Sequence, residues 1–447
     1  MGAALFLGNP PASNYRTPVP CQAILAAAPW RVRLRRKYRL LVKYKHTQGV
    51  FPGTRGWRKR SCNITSPIFF ISAAEHSGDA LGAALIAALR GEFPKARFTG
   101  IGGAKMAKAG CRVLADPTRH SAMLLGAVAQ TGYWFELLAR LKKELALDKP
   151  NVIIPIDSPT VNLRIARLGQ RLRIPVCYYV APQLWAWAPW RIKTLRASVN
   201  TLCCVLPFEQ AYFGQQGVPT VYVGHPLFDL PADQPQTDPD LLRPPLPKAA
   251  VRIALLPGSR QAEITANFPP MLETFLALRG KFPGIAAVAA AADEDRAWQI
   301  RNFLPRYGAK IEVRTGATDA IIRWADLVLT CSGTATLQIA RHHKPMLVLY
   351  RLAWWKWNLA GRFLVQSKFL CLVNILADRE LVPEFMPFYG AVEPLVATAT
   401  DLLAHPEKRQ AVARQLAELT APMAAWSDEM PAAQRVALEV ARLMALH

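Results

Sequence analysis

From Ser66 onward the chain alternates short apolar runs with longer stretches of helical period, and this alternation constrains the fold more than any other feature. Such a pattern builds strands laid parallel to one another and joined by crossover helices. The first run, 68–72, precedes a helix with Leu81, Leu85 and Leu89 on one face, closing near Gly91. Runs at 98–101, 152–156, 176–180, 202–206 and 221–223 complete one doubly wound unit. Residues 231–248 are rich in Pro and Asp, lack a period and read as a linker. The pattern restarts at 253–256 and continues at 285–291, 311–313, 327–330 and 346–350. From 391 the chain is Ala- and Leu-rich and helical, with a break expected at Pro422. The expected organisation is an N-terminal α/β unit over 66–230, the linker, a second unit over 249–390, and helices over 391–447. A length of 447 residues agrees with more than one core.

In open parallel sheets ligands sit beyond the carboxyl ends of the strands, so the loops after each run carry the expected chemistry. Glu75-His76-Ser77-Gly78-Asp79 follows the first run, and Asp157-Ser158-Pro159, with Asn162 beyond it, follows 152–156. A carboxylate such as Asp157 either caps the next helix or acts as a general base toward a bound hydroxyl. Glu75 and Asp79 are its rivals or supports. Pro257-Gly258-Ser259-Arg260, with Glu263 three residues on, makes a tight turn ending in an arginine suited to a diphosphate. Ser332-Gly333-Thr334-Ala335-Thr336 lets backbone approach an anion at a helix start, and Gln338, one turn beyond Thr334, is placed for a ribose hydroxyl. Separately these also read as a plain turn and a helix cap; together they describe a pyrophosphate cradle. Trp185 and Trp187, with Trp190, Arg191 and Lys193 close behind, are either core or a wall facing lipid or sugar. His225, in Gly224-His225-Pro226, is either a cleft residue or a hydrogen-bonded structural histidine.

Composition narrows the partners. The formal net charge is +24, and residues 1–65 carry thirteen of the 55 Lys and Arg residues with no Asp or Glu. Basic chains bind nucleic acid, anionic membrane or phosphorylated ligands. With no RNA-binding signature or zinc-finger spacing, anionic lipid and nucleotide phosphate are expected and nucleic acid is not. No apolar run is long enough to span a bilayer. Met123-Leu124-Leu125 and Tyr133-Trp134-Phe135, with Leu137, Leu138 and Leu141, lead into Arg140, Lys142 and Lys143. That stretch is either a core helix or an element lying in the headgroup layer. The eight cysteines contain no C-x-x-C pair and mostly fall in apolar runs, as buried thiols of a reducing compartment do. Three readings of 1–65 stay open: an organellar transit peptide, a disordered membrane-binding arm, or a start assigned too far upstream. The last is preferred because the α/β pattern begins at Ser66.

Two such units facing a cleft form the architecture called GT-B among glycosyltransferases. In order, Glu75 to Asp79, Gly102-Gly103 with Met106 and Gly110, Ile156-Asp157 with Pro159 and Asn162, and Trp185-Ala186-Trp187 match one motif series. It continues through Leu206-Pro207-Phe208-Glu209, Gly224-His225-Pro226, 255–260, 332–336 and Asn374-Ile375-Leu376-Ala377-Asp378-Arg379-Glu380-Leu381. The series resembles that of the lipid-A-disaccharide synthases and covers the chain from about Ser66 onward. The resemblance implies inverting transfer of 2,3-diacylglucosamine from its UDP derivative to 2,3-diacylglucosamine 1-phosphate (lipid X), without metal or other cofactor, at the cytoplasmic face of the inner membrane. It implies Asp157 as base, Arg260 and 332–336 at the UDP leaving group, and Asn374 and Arg379 near the donor. Thr160, Gln338 and Ala74 depart from it, standing where the family usually has an acidic residue, Glu and Gly. The alternatives are another GT-B enzyme, such as a UDP-sugar epimerase or a different lipid glycosyltransferase, and a weakened homologue that binds lipid or UDP. The oligomeric state is not legible.

Overall fold

The computed structural model describes residues 66–117, 127–229, 245–351 and 368–446. The basic segment 1–65, the triplet Met123-Leu124-Leu125 and linker residues 231–244 lie outside them, as do the side chains of Tyr133, Phe135 and Trp187.

The expected alternation resolves into two all-parallel sheets. The first is built from β1 (Ile68–Ala73), α1 (His76–Glu92), β2 (Arg97–Ile101), α2 (Ala104–Lys108), β3 (Arg112–Ala115), α3 (Ala127–Leu147) and β4 (Val152–Ile156). It continues with α4 (Pro159–Arg171), β5 (Cys177–Tyr179), α5 (Leu184–Trp187), α6 (Ile192–Ser198), β6 (Thr201–Cys204), α7 (Pro207–Gly214) and β7 (Thr220–Tyr222). The second contains β8 (Val251–Leu256), α8 (Gln261–Arg279), β9 (Ile285–Ala291), α9 (Glu294–Arg301), β10 (Glu312–Thr315), α10 (Thr318–Trp324) and β11 (Leu327–Thr330). After it come α11 (Thr334–Arg341), β12 (Met346–Leu349), α12 (Leu372–Ala377) and β13 (Glu384–Phe385). Three helices close the chain: α13 (Glu393–Ala404), α14 (Pro406–Glu429) and α15 (Ala432–Met444).

The strand orders are β3-β2-β1-β4-β5-β6-β7 and β10-β9-β8-β11-β12-β13. Each order reverses at a central pair, β1 beside β4 and β8 beside β11. Those pairs end level with each other, Ala73 opposite Ile156 and Leu256 opposite Thr330. A crevice opens beyond such a pair because the two following loops turn to opposite faces of the sheet.

Burial explains which strands the sequence reveals. All of Val152–Ile156 is buried, giving the continuous apolar run of a central parallel strand. The unforeseen strands β3 and β13 are a half-buried edge strand and a two-residue edge pairing, with no such run. Leu137, Leu141 and Leu145 of α3 are buried, and Trp134 and Leu138 pack against the same core, so this part of the apolar stretch faces inward. Cys111, Cys177, Cys203, Cys204, Cys331 and Cys371 are free and buried, as expected.

Pro422 does not break the last helical region. Helix α14 runs through it, because a proline forfeits one backbone bond while buried Leu416, Thr420, Met423 and Trp426 anchor both sides. Helix α15 then returns the chain to the first sheet, packing on α1, β5 and β6. Its Arg435 is fully buried, with the guanidinium 4.5 Å from the ring centre of Trp426.

Candidate functional site

The loops after the two central strand pairs meet across a cleft. Helix α1 starts earlier than its apolar face suggests, so Glu75 is its N-cap residue and residues 76–79 form its first turn. Opposite, Arg260 is the N-cap residue of α8. Its Nη2 lies 3.4 Å from Glu75 Oε2, an ion pair between residues 185 apart in sequence. Arg260 Nη1 also meets Glu263 Oε1 at 3.1 Å. Glu263 in turn accepts from the backbone N–H groups of Ser259 and Arg260 at 3.2 and 3.3 Å, so the arginine is held at the head of its own helix.

Asp157 directly follows β4 with its backbone in the left-handed region at φ 48°, and Ser158 comes next at φ 44°. Such backbone costs of order 1–3 kcal/mol for each non-glycine residue and persists where surrounding bonds enforce it. Those bonds are present. The Asp157 carbonyl accepts from Asn162 Nδ2 at 2.8 Å and from the Tyr178 hydroxyl at 2.7 Å, and its N–H donates to Tyr179 at 3.0 Å. Asn162 is fully buried and also bonds the Ile156 carbonyl at 2.7 Å, while the Ser72 hydroxyl donates to it at 2.5 Å. It therefore ties the ends of β1 and β4 together. Ser158, not Asp157, occupies the N-cap position of α4, and it makes no side-chain cap bond. Its hydroxyl instead stands 3.4 Å from Glu75 Oε1. Desolvation first, and the neighbouring Glu75 charge second, push the Asp157 carboxyl above the usual carboxylate range.

The opposite wall carries two glycines with positive φ. Gly258, at φ 117°, leaves no room for a side chain: a Cβ there would lie 2.6 Å from Glu263 Oε2. Gly333, at φ 146°, precedes α11, and a Cβ there would meet nothing within 4 Å. Gly333 and Thr334 are exposed at the start of α11. The loop is held from behind, with the Ser332 hydroxyl donating to Leu370 O at 3.1 Å and the buried Thr336 hydroxyl to Gly333 O at 2.8 Å. Ala335 is half-buried between them.

Other residues singled out by sequence are bonded elsewhere. Asp79 is buried and receives the N–H groups of Gly103, Lys105 and Met106 at 2.8, 3.0 and 3.0 Å, fixing the start of α2. Gln338 donates to Asp319 at 3.1 Å. Asn374 is fully buried, accepting from Leu381 and Val382 and donating to Val382 O and Glu384. Arg379 is exposed and reaches Gln415 at 3.1 Å. Trp185 is buried edge-on against Phe208 and donates to Glu209 at 3.0 Å. His225 accepts from the Leu227 N–H at 3.1 Å, and desolvation lowers its pKa to about 4, so near neutral pH the ring is uncharged.

Three contributors escaped the sequence. Tyr178 looks like any aromatic in a core strand. Ser158 carries no signal beyond its neighbour. Glu209 stands in a recognised motif but gives no hint that burial pushes its carboxyl to about 7. Among the described residues no three His, Cys, Asp or Glu side chains gather as a metal site.

A family model described as lipid-A-disaccharide synthetase matches residues 69–434. The chain is 33% identical to the lipid-A-disaccharide synthase of Syntrophus aciditrophicus over 80% of this chain and 93% of that protein. It is 35% identical to the lipid-A-disaccharide synthase of Alcanivorax borkumensis over 85% of this chain and 98% of that protein. Among solved structures it resembles UDP-GlcNAc 2-epimerase from Neisseria meningitidis bound to UDP-GlcNAc, with TM-score 0.56 and 11% identity over 78% of this chain and 94% of that chain. At that identity the likeness concerns the fold.

Proposed function

The chain belongs to the lipid-A-disaccharide synthetase family, and on that premise we propose that it joins two acylated glucosamines with Asp157 as base and Arg260 at the leaving diphosphate. The observation that carries this reading is the Arg260–Glu75 contact, which brings the two strand-pair crevices face to face. A sugar nucleotide held on one wall then presents its anomeric carbon to an acceptor hydroxyl on the other.

The donor is UDP-2,3-diacylglucosamine and the acceptor 2,3-diacylglucosamine 1-phosphate. The acceptor 6-hydroxyl attacks the anomeric carbon from the face opposite UDP, inverting the centre. Asp157 takes the hydroxyl proton as the new C–O bond forms and the bond to UDP breaks. A carboxyl held above its usual range is a better proton acceptor than a solvated one, and the strained backbone fixes where it points. Arg260 and the start of α11, where Gly333 and Thr334 are exposed, receive the charge gathering on UDP. Ser332, Thr336 and Gly258 shape that wall. Trp185, Asn162 and Asp79 serve it as framework.

Peripheral attachment to the cytoplasmic face of the inner membrane is part of the proposal. Among the described residues no helix is long and apolar enough to cross a membrane. Between Asp157 and Glu209 the chain has seven Arg and Lys residues and no acid. The exposed positions of α4 beyond Thr160 are Arg164, Arg167, Gln170 and Arg171, and Lys193 and Arg196 are exposed on α6. The two helices pack together, with Arg167 donating to Thr194 at 2.7 Å. Such a face suits anionic headgroups beside a cleft that takes acylated substrates.

Two substitutions test the division of labour. Arg260→Ala should weaken UDP binding and lower kcat/KM by about 10- to 100-fold, the loss of a charge-assisted bond. Asp157→Asn should leave UDP affinity unchanged and slow single-turnover transfer by about 10²- to 10⁴-fold. An Asp157→Asn protein as fast as the parent removes the base assignment. Unchanged donor kinetics in Arg260→Ala reduce that arginine to a turn residue.

A further inference from the structure

Glu75 has a second task that neither the base nor the cradle explains. It is half-exposed, and its two oxygens look to different walls: Oε2 to Arg260 Nη2 and Oε1 to the Ser158 hydroxyl, each at 3.4 Å. Both contacts are at the long limit of hydrogen bonding, so the carboxylate is committed to neither. Arg260 itself is 68% exposed and has two acidic partners of unequal standing. Glu263 is 13% exposed and anchored by two backbone N–H groups, so it stays with the arginine. Glu75 comes from the opposite wall and is the partner that a diphosphate can replace.

We infer that Glu75 competes with the donor's diphosphate for Arg260 and so drives UDP off after transfer. This rests on the reading of Arg260 as the diphosphate arginine. When the donor arrives, the diphosphate takes the guanidinium and Glu75 turns to Ser158, on the loop that carries Asp157. When the sugar has left, Glu75 returns to Arg260 and speeds the departure of UDP. Product release limits many enzymes, so a carboxylate that lowers product affinity serves turnover.

The test uses UDP itself as probe, with the full chain, at low and high salt. An exposed ion pair is worth little, so Glu75→Gln should bind UDP about 2- to 5-fold more tightly, chiefly through slower dissociation. The gain should shrink as salt rises and vanish when Arg260 is already Ala, because the competition acts through that side chain. Glu75→Ala should behave in the same way. UDP affinity that is unchanged or weaker in Glu75→Gln, or a gain that persists without Arg260, overturns the inference. A parent protein that does not bind UDP overturns it together with the reading of Arg260.

Discussion

Asp157 pays for its position in two ways, through left-handed backbone and through a carboxyl whose desolvation raises its pKa. A raised acid pKa means the fold favours the neutral form. The stabilisation is complete below the unfolded value, about 3.9, and is lost as pH rises through the higher folded value. Above that value the stabilisation is gone, so Asp157→Asn, which stays neutral at every pH, should melt no lower than the parent while losing transfer. A clear drop in Tm at neutral pH would mark the residue as framework. Glu209 makes the same argument in a purely supporting place. It is buried, accepts from Trp185 Nε1 at 3.0 Å and from the Leu206 N–H at 3.1 Å, and has its carboxyl pushed from 4.5 to about 7. Its contribution to stability should decline between pH 4.5 and about 7 and level off above. Glu209→Gln should flatten that part of the Tm-versus-pH curve, and an unaltered curve would contradict the assignment.

At the scale of elements, the loops that build the cleft are those after β1, β4, β8 and β11, and each was legible as a motif because a central parallel strand announces its own end. Asp157, Arg260 and 332–336 stand out for that reason. What stayed hidden is tertiary. Nothing in the sequence says that Glu75 meets Arg260, that Tyr178 steadies the Asp157 carbonyl, or that Asn374 spends its amide on the turn at 381–382. Edge strands β3 and β13 lack the continuous apolar run by which the others are found. Pro422 shows propensity overruled by packing: a local rule foretells a break where buried neighbours keep α14 continuous. Pro422 is exposed within that helix. Pro422→Ala should restore a backbone donor and raise stability by about 1–3 kcal/mol, read as a higher Tm. A lower Tm would mean that Pro422 itself is needed for α14 to bring α15 back to the first sheet.

For the whole molecule, two sheets that each reverse order at a central pair become one enzyme only because those pairs face each other. Helix α15 crosses back to pack on α1, tying the end of the chain to the unit that holds Asp157. The cationic face of α4 and α6 begins immediately after the Asp157 loop, so the proposed attachment to anionic lipid would set the cleft beside the membrane. The fold is shared with UDP-GlcNAc 2-epimerase, so the product, and not the fold, distinguishes the activities. The decisive measurement is therefore product analysis after incubating the purified full chain with UDP-2,3-diacylglucosamine and 2,3-diacylglucosamine 1-phosphate. The predicted result is one disaccharide 1-phosphate formed for each UDP released, with the anomeric configuration inverted. UDP release without disaccharide, epimerisation of the donor sugar, or retention at the anomeric carbon would contradict it.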